Sequence, residues 1–494
     1  MKLMQGLFEE FSTLLGAEYV LRPGTELTHL LENTTGFEAP EVLGQLRPGS
    51  MEELSAILNI CNREKIPVYS FSKGLNWGLG SRLPLQSGCM LIELSRLNRI
   101  LEINEKFHYA IVEPGVSQGQ LSDEIRRLGL RLMLNVTGSS PNASVLANML
   151  ERGSGFMAHR IDDLKGMEVM LADGKVLRSG FWAEKGDLEV FHYPLGMGPD
   201  WRGLFSQSNL GIVTKAVVNL HPKLEVQKML WCKVDESRLP ALVEGLGELY
   251  RRKYLVSLTH IGNDKRMKIE HGGADRQNTW TSFGMVQGSA EFLEFLEQEI
   301  PRQIGSRCIS LGFFTEAEAD SAGIGPVFGC NVGIPTDYFL RAMYRSEDLN
   351  PEDHTLQIDH GPLGMLCCLP VLPLEASAIE ACLNILAGIH RDFGIQPATT
   401  LNPMNDQCLE SVINIYFRRS EPEEVKKAHE ANREMSRRFY EAGFRFYRLD
   451  VRLMQEFIRK ENLHWDLVSR LKNCLDPNRI LSPGRYEMIK KSAC

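Results

Sequence analysis

The chemistry legible in this chain begins with a glycine-rich turn. Lys73-Gly74-Leu75-Asn76-Trp77-Gly78-Leu79-Gly80 supplies three glycines, which adopt positive φ without strain and let backbone amides come close to a ligand. A second loop, Gly138-Ser139-Ser140-Pro141-Asn142-Ala143-Ser144, is small and polar and runs into the apolar stretch Val145 to Leu150. Past Phe156, the pair His159-Arg160 could meet a substrate carboxylate and reads equally well as an exposed loop pair. Phe313, Phe314 and Phe328 would wall an aromatic substrate, a role that core packing explains just as well. His192 reads as structural.

The elements that must position the first loop are clear. Ser50 and Glu53 form a capping box, Leu54, Ile57, Leu58 and Cys61 recur at helical spacing, and Ile66 to Ser72 follow as a strand. A helix, a strand and then a Gly-rich turn make the outline of a diphosphate cradle. Short strands are expected around Cys89–Leu94, Ile100–Ile103 and Tyr109–Glu113, with a helix from near Ser117. Ala172-Asp173-Gly174 joins Met167–Leu171 to Val176–Ser179 as a hairpin, and Ile212 to Leu220 closes this part. From Val226 to Phe446 the pattern becomes strand, helix, strand, a Gly-rich middle, then Met365 to Leu372, a helix, Val412 to Arg418 and a helix. That pseudo-repeat predicts an antiparallel sheet covered by helices on one face.

With 494 residues and 43% hydrophobic composition the chain can bury large cores, which excludes a disordered protein. The net charge of -8 is interspersed rather than blocked, which argues against a nucleic-acid footprint or a polybasic membrane anchor. Glu9 and Glu10 interrupt the apolar N-terminal stretch, so the start reads as mature and cytoplasmic. No run is long and apolar enough for a membrane span, and the protein is expected to be soluble. Eleven cysteines without framework spacing, with Cys367-Cys368 in a strand-like run, fit buried free thiols in a reducing compartment. No CxxC pair or His-rich tract appears, so no metal is expected.

Six segments in one order give the chain a family likeness: SKGLNWGLGSRLP (72 to 84), VEPGV (112 to 116), SVLANMLERGSGF (144 to 156), GMEVMLADGKVLRSG (166 to 180), GMGPDWRGLFSQSNLGIVTK (196 to 215) and LDPNRILSPGR (475 to 485). The combination resembles the vanillyl-alcohol oxidase and p-cresol methylhydroxylase family of FAD-dependent oxidoreductases. The resemblance implies an α+β fold with a two-part FAD-binding domain of mixed sheets and helices (1–225), an inserted cap domain (226–446) whose antiparallel sheet is covered by helices, and a C-terminal segment (447–494) that completes the site. It puts Ser72, Lys73, Gly74, Asn76, Trp77, Gly78, Gly80, Gly138, Ser139, Ser140, Asn142 and Ser144 at the FAD, Ile212 and Val213 near its adenine side, and Arg485 near the flavin ring. Tyr447-Arg448 matches the pair that holds the substrate as phenolate while hydride leaves for flavin N5.

Several positions depart from the family pattern. Leu79 stands where a second phenolate-binding Tyr is expected, and Phe156 replaces another active-site Tyr. Ser139 occupies the position of the catalytic Asp, and a serine hydroxyl is no base near neutral pH without an activating neighbour. Met365 falls at the covalent flavin attachment position and cannot form that bond; His360 is the fallback if the alignment slips. Noncovalent FAD is therefore expected.

These departures favour a substrate with a carboxylate one carbon beyond the benzylic position. Hydride removal then gives a quinone methide that is refilled by loss of CO2, as in family members that convert tyrosine-derived natural-product acids to a vinyl phenol or enamide. Alternatives are a phenolic alcohol or alkylphenol oxidase or dehydrogenase, a hydroxy-acid or sugar oxidase, and a non-catalytic flavin-binding partner. The electron acceptor is O2 or a redox protein, and relatives' habits imply a homodimer.

Overall fold

The computed structural model describes residues 2–184, 191–255, 257–271, 278–340, 343, 358–458 and 462–487. Residues 488–494, the end of the expected C-terminal segment, lie outside that range.

Ser50 caps the helix Met51–Glu64 by accepting from Glu53 N at 3.1 Å. The Glu53 carboxylate returns a bond to Gly49 N rather than to Ser50 N, so the reciprocal half of the box is displaced by one residue. Leu54, Ile57, Leu58 and Cys61 form its fully buried stripe. This helix leads to the strand Val68–Phe71, which pairs parallel with Cys89–Glu93; Val42–Leu46 pairs parallel on the other side, and Val20–Leu21 adds an antiparallel edge. The C-terminal segment returns to this sheet: Val68 N donates to Ile480 O and Ser482 N to Val68 O, both at 2.7 Å.

A second sheet is antiparallel, in the order Ile100–Asn104, Tyr109–Val112, Ile212–Asn219, Leu164–Met170, Val176–Arg178. Gly174 turns the expected hairpin at φ 78°. The third sheet has nine strands, all paired antiparallel, running from Ser310–Phe314 through Val226–Asp235, Thr279–Gly288, Thr259–Asn263, Ala398–Pro403 and Cys408–Arg418 to Pro370–Pro373 and Arg445–Phe446, with Leu363–Cys368 also on Cys408–Arg418. The run expected as a single strand from Met365 to Leu372 thus breaks at Leu369, whose carbonyl accepts from Tyr447 N at 3.2 Å.

Strand residues alternate between faces, and the third sheet uses the alternation. Ile261, Leu366, Cys368, Leu401, Leu409, Ile413 and Ile415 join the helices Leu239–Arg251, Ala290–Ile304, Ala376–Phe393 and Pro422–Glu441 in one core. Residues between them on the same strands face the other way and line a cavity. The adjacent Cys367 and Cys368 are both buried free thiols on opposite faces. Among the described residues no helix is long and apolar enough to cross a membrane. The α+β architecture read from the sequence, with several sheets and helices, is the one observed.

Candidate active site

The strand Val68–Phe71 ends at the glycine-rich turn, which forms one side of a cavity of about 190 Å³. Its other sides come from the helix Val145–Leu150, the segment around Phe205–Val213 and the loop Leu481–Arg485. Ser72, Lys73, Gly74, Asn76, Ser139, Ser144, Ile212, Val213 and Arg485 all line it. Ser144 caps the helix by accepting from Ala147 N at 3.1 Å and donates to Pro114 O at 2.6 Å, which holds the second loop against the first unit. The wall also carries unused polar capacity: Asn148 Oδ1 and Asn209 Oδ1 are buried and unbonded among the described residues. Hydroxyls, amides and a half-buried ammonium suit a diphosphate and a polar ring edge, so the residues present fit FAD.

Six residues expected at this cavity lie off its lining: Trp77 and Gly138, which line a neighbouring cavity, and Gly78, Gly80, Ser140 and Asn142. Ser140 and Asn142 brace their own loop, Ser140 Oγ accepting from Asn142 N at 3.0 Å and Ser140 O from Gln118 Nε2 at 2.8 Å. Gly78 and Gly80 face away from it. Gly78 sits at φ 75°, donates its N–H to Thr34 Oγ1 at 2.9 Å, and any Cβ there would run into Cys367 Sγ. Its role in the fold is close approach of the turn to the third sheet.

A second cavity of about 230 Å³ lies between the turn and that sheet. Trp77, Leu79, Gly138, Phe156, Met365 and Tyr447 line it, with His260, Thr400, Asn402, Val412, Asn414 and Tyr416 from alternate positions of three neighbouring strands. The two cavities share Leu75, Asn76, Ser139, Asn148 and Arg448, so they meet where those residues stand. Arg448 reaches this junction from the C-terminal side and donates to Asn76 Oδ1 at 2.6 Å, while its buried Nε has no partner among the described residues. An unsatisfied buried N–H on a cation is costly unless a ligand accepts from it.

Charge is concentrated here. Arg485 pairs with Glu151 at 2.6 Å and donates to Tyr69 OH at 3.0 Å; Tyr486 OH donates to the same carboxylate at 2.7 Å. Burial pushes the Glu151 carboxyl up, but Arg485 and Arg448 outweigh it and hold the group below its ordinary value. Two guanidiniums against one carboxylate leave a net positive site, suited to electron density arriving on a flavin ring. On the far side of Tyr447, Ser154 connects its phenol to the buried Glu410, which also pairs with His159 at 3.0 Å.

Burial opposes protonation of His159, yet the hydrogen bond and charge of Glu410 raise its pKa above the ordinary histidine value. A raised folded-state pKa stabilises the fold fully below the unfolded value, and that contribution fades as pH rises through the folded one. Thermal unfolding of wild type and His159→Gln across pH should therefore show a wild-type advantage below neutrality that shrinks in alkali; a constant difference would refute it.

His360, the fallback flavin attachment site, lies elsewhere. It lines a separate cleft, stacks on His29 at 3.8 Å and bonds Glu32 Oε2 at 3.2 Å. The donor atoms of His29, Glu32 and His360 lie within 4.8 Å of one another. Met365 is the residue at the cavity.

Sequence reading passed over Asn148, Glu151, Asn209, His260, Arg266, Asn414 and Tyr416. A signal was present for the strand residues: Thr400 with Asn402, and Asn414 with Tyr416, put polar groups at every second position of strands whose other face is apolar.

Comparison with known proteins follows this geometry. Residues 43–180 match the FAD binding domain family. The chain is 26% identical over 486 residues to the 1'-carboxy-chondrochloren decarboxylase of Chondromyces crocatus, covering 90% of each. It is 26% identical over 514 residues to the 4-cresol dehydrogenase [hydroxylating] flavoprotein subunit of Pseudomonas putida, covering 97% of this chain and 94% of the relative. The solved 4-ethylphenol oxidase from Gulosibacter chungangensis, in its isoeugenol complex, superposes with a TM-score of 0.88 at 25% identity over 99% of this chain and 98% of that one.

Proposed function

We propose, for a chain that belongs to the FAD-dependent family of vanillyl-alcohol oxidase and p-cresol methylhydroxylase, that it oxidises a para-substituted phenol and releases CO2 from a carboxylate one carbon beyond the benzylic position. FAD held noncovalently in the first cavity supplies a hydride acceptor at flavin N5. Tyr447 and Arg448 receive the substrate oxygen as phenolate, the guanidinium matching the developing and returning negative charge. Hydride leaves the benzylic carbon with both electrons, and the ring becomes a quinone methide. Cleavage of the bond to the carboxylate then frees CO2; its electron pair forms the side-chain double bond and restores the phenolate. The phenol proton goes to solvent, and O2 or a redox protein takes the two electrons in turn.

The observation that carries this reading is the lining of the second cavity, where no Asp or Glu stands among the described residues and Ser139 occupies the junction. A base that directs water favours hydration of a quinone methide, whereas losing CO2 needs none. The decarboxylase among the relatives supports the same chemistry. For the cofactor, the thioether of Met365 at the cavity and the remote position of His360 support a noncovalent flavin.

The test is anaerobic addition of para-hydroxyphenyl acids to the purified holoenzyme. The expected result is flavin bleaching and a product lighter by CO2 plus two hydrogens, with the yellow colour leaving the pellet after acid precipitation. Bleaching with retained carboxylate would restore an oxidase or dehydrogenase reading. Ser139→Asp is expected to divert the quinone methide toward water, so that a benzylic alcohol keeping its carboxylate appears among the products; an unchanged product mixture would show that this position does not decide the outcome.

A further inference from the structure

Four side chains stand in series at one wall of the second cavity. Tyr447 and Ser154 line the cavity, whereas Glu410 and His159 lie outside its lining. Ser154 hydrogen-bonds the phenol of Tyr447 and donates its own proton to Glu410 Oε2. A serine has one proton to give, so with that proton on Glu410 its oxygen accepts from Tyr447. The other carboxylate oxygen, Oε1, meets His159 Nε2 at 3.0 Å. Nε2 also faces Arg152 O at 3.3 Å, and with two acceptors before it this nitrogen carries a proton. Tyr447 to His159 is thus a continuous hydrogen-bonded line that begins at the cavity and ends on an imidazole with 21% of its side chain exposed.

The backbone holds this line in place. Ser154 stands between two glycines: a Cβ at Gly153 would lie 2.3 Å from Asn148 Oδ1, and one at Gly155 would lie 2.0 Å from Asn135 Oδ1. Only glycine lets the chain press this close on both sides. Ser154 and His159 pair as an antiparallel bridge, so one loop delivers both partners of Glu410. Glu410 comes from the strand Cys408–Arg418 of the third sheet and is buried. Burying a carboxylate is costly unless it is paired, and the hydroxyl and the imidazole supply the pairing. Its titratable neighbours beyond the line are Cys408 and Asp162, and Asp162 also faces His159. Burial and the Glu410 charge hold the Tyr447 proton well above the ordinary phenol range, so Tyr447 hands a proton on without staying ionised.

We infer that Tyr447, Ser154, Glu410 and His159 form a proton relay that turns the bound phenol into phenolate and carries its proton out of the cavity. The relay rests on the phenolic reading above and gives the phenol proton a route out of a buried site. In the shift the substrate O–H breaks and a new O–H forms on Tyr447; the Tyr447 proton moves to Ser154, and the Ser154 proton to Glu410 Oε2. Tyr447 and Ser154 each end with one proton, as they began, and the negative charge has moved from Glu410 to the substrate. Tyr447 now donates to the phenolate it has produced. Loss of the Glu410 charge frees the His159 imidazolium to release a proton to solvent, so that the pair holds one proton before and after. An ordinary phenol loses its proton at about 10 and a glutamic acid at about 4. The transfer therefore runs uphill and depends on Arg448, which lines the same cavity, to stabilise the phenolate.

Stopped-flow mixing of the holoenzyme with 4-hydroxybenzaldehyde tests this at a pH where the free phenol is neutral, because the phenolate band reports ionisation of the bound phenol whether or not the flavin is reduced. The band is expected in wild type and should form about 10²-fold more slowly in Ser154→Ala, the usual contribution of a positioned acid–base group. Glu410→Gln, which keeps the shape and cannot take the proton, should be as slow and serves if the alanine variant folds poorly. Ser154→Thr keeps a hydroxyl and should stay within a few-fold of wild type. No band in wild type, or an unchanged rate in Ser154→Ala, would overturn the relay. Anaerobic flavin bleaching by a para-hydroxyphenyl acid should slow in the same variants near neutrality and recover as the pH is raised until the free phenol ionises; a loss that persists at every pH would mark these residues as structural and overturn the relay too. A phenolate band that requires Ser154 and Glu410, without any flavin bleaching, would leave the relay standing and sink the oxidative reading instead.

Discussion

Arg448→Met is expected to slow flavin reduction by a para-hydroxyphenyl acid by about 10²- to 10³-fold, the usual cost of removing a preorganised charged donor from the reacting centre. The side chain is held for that task by Asn76 at 2.6 Å, and its buried Nε is left over for a ligand. In the proposed reaction its charge would face the one place where electron density rests twice, first in the bound phenolate and again when CO2 departs. Lysine is no substitute, because an ammonium cannot hold Asn76 and present a second donor in the same plane. Stopped-flow bleaching of the holoenzyme measures the effect. A rate within a few-fold of wild type would remove Arg448 from the chemistry and favour a hydroxy-acid or sugar as substrate.

Lys472→Met should destabilise the fold by about 3–5 kcal/mol, the cost of leaving a buried charge without its partner. Lys472 and Asp476 are both fully buried and 2.7 Å apart. Lys472 Nζ also donates to Asn209 O at 2.6 Å and Leu481 O at 2.7 Å, and Asp476 accepts from Ile480 N and Leu481 N. The pair thereby ties together two of the segments that wall the first cavity. Loss of FAD on gel filtration should accompany the drop in denaturant midpoint. The double variant Lys472→Met with Asp476→Asn removes the stranded carboxylate while keeping one side-chain oxygen to accept from Ile480 N or Leu481 N, and should recover part of the loss; if it is as unstable as the single variant, the charge is not the cause.

The local features of this fold were legible because they depend on neighbours in the chain. Ser50 and Ser117 were recognisable as helix starts, Gly174 as a hairpin turn and the stripe from Leu54 to Cys61 as a buried face, since capping, positive φ and periodicity act over a few residues. Reading the six ordered motifs was enough to foresee the flavoprotein architecture. It did not foresee what each glycine does: Gly74 lines the first cavity, whereas Gly78 lets the turn press against Cys367 from a distant strand.

By itself, then, the sequence determined most element types, the two small-residue loops, the adjacency of a phenol and a guanidinium at Tyr447-Arg448, and a serine at 139 where the family resemblance leads one to expect an Asp. Only the tertiary structure decided which charges face one another. Arg448 meets Asn76, Arg485 meets Glu151 and Lys472 meets Asn209 across hundreds of residues, and Arg266 joins the second cavity through the register of Thr259–Asn263 with Ala398–Pro403. Hydrogen-bond caps and turns are local energies that a short window contains. Strand register and the burial of paired charges are set by packing the whole sheet, where a shift of one residue would send every side chain to the opposite face.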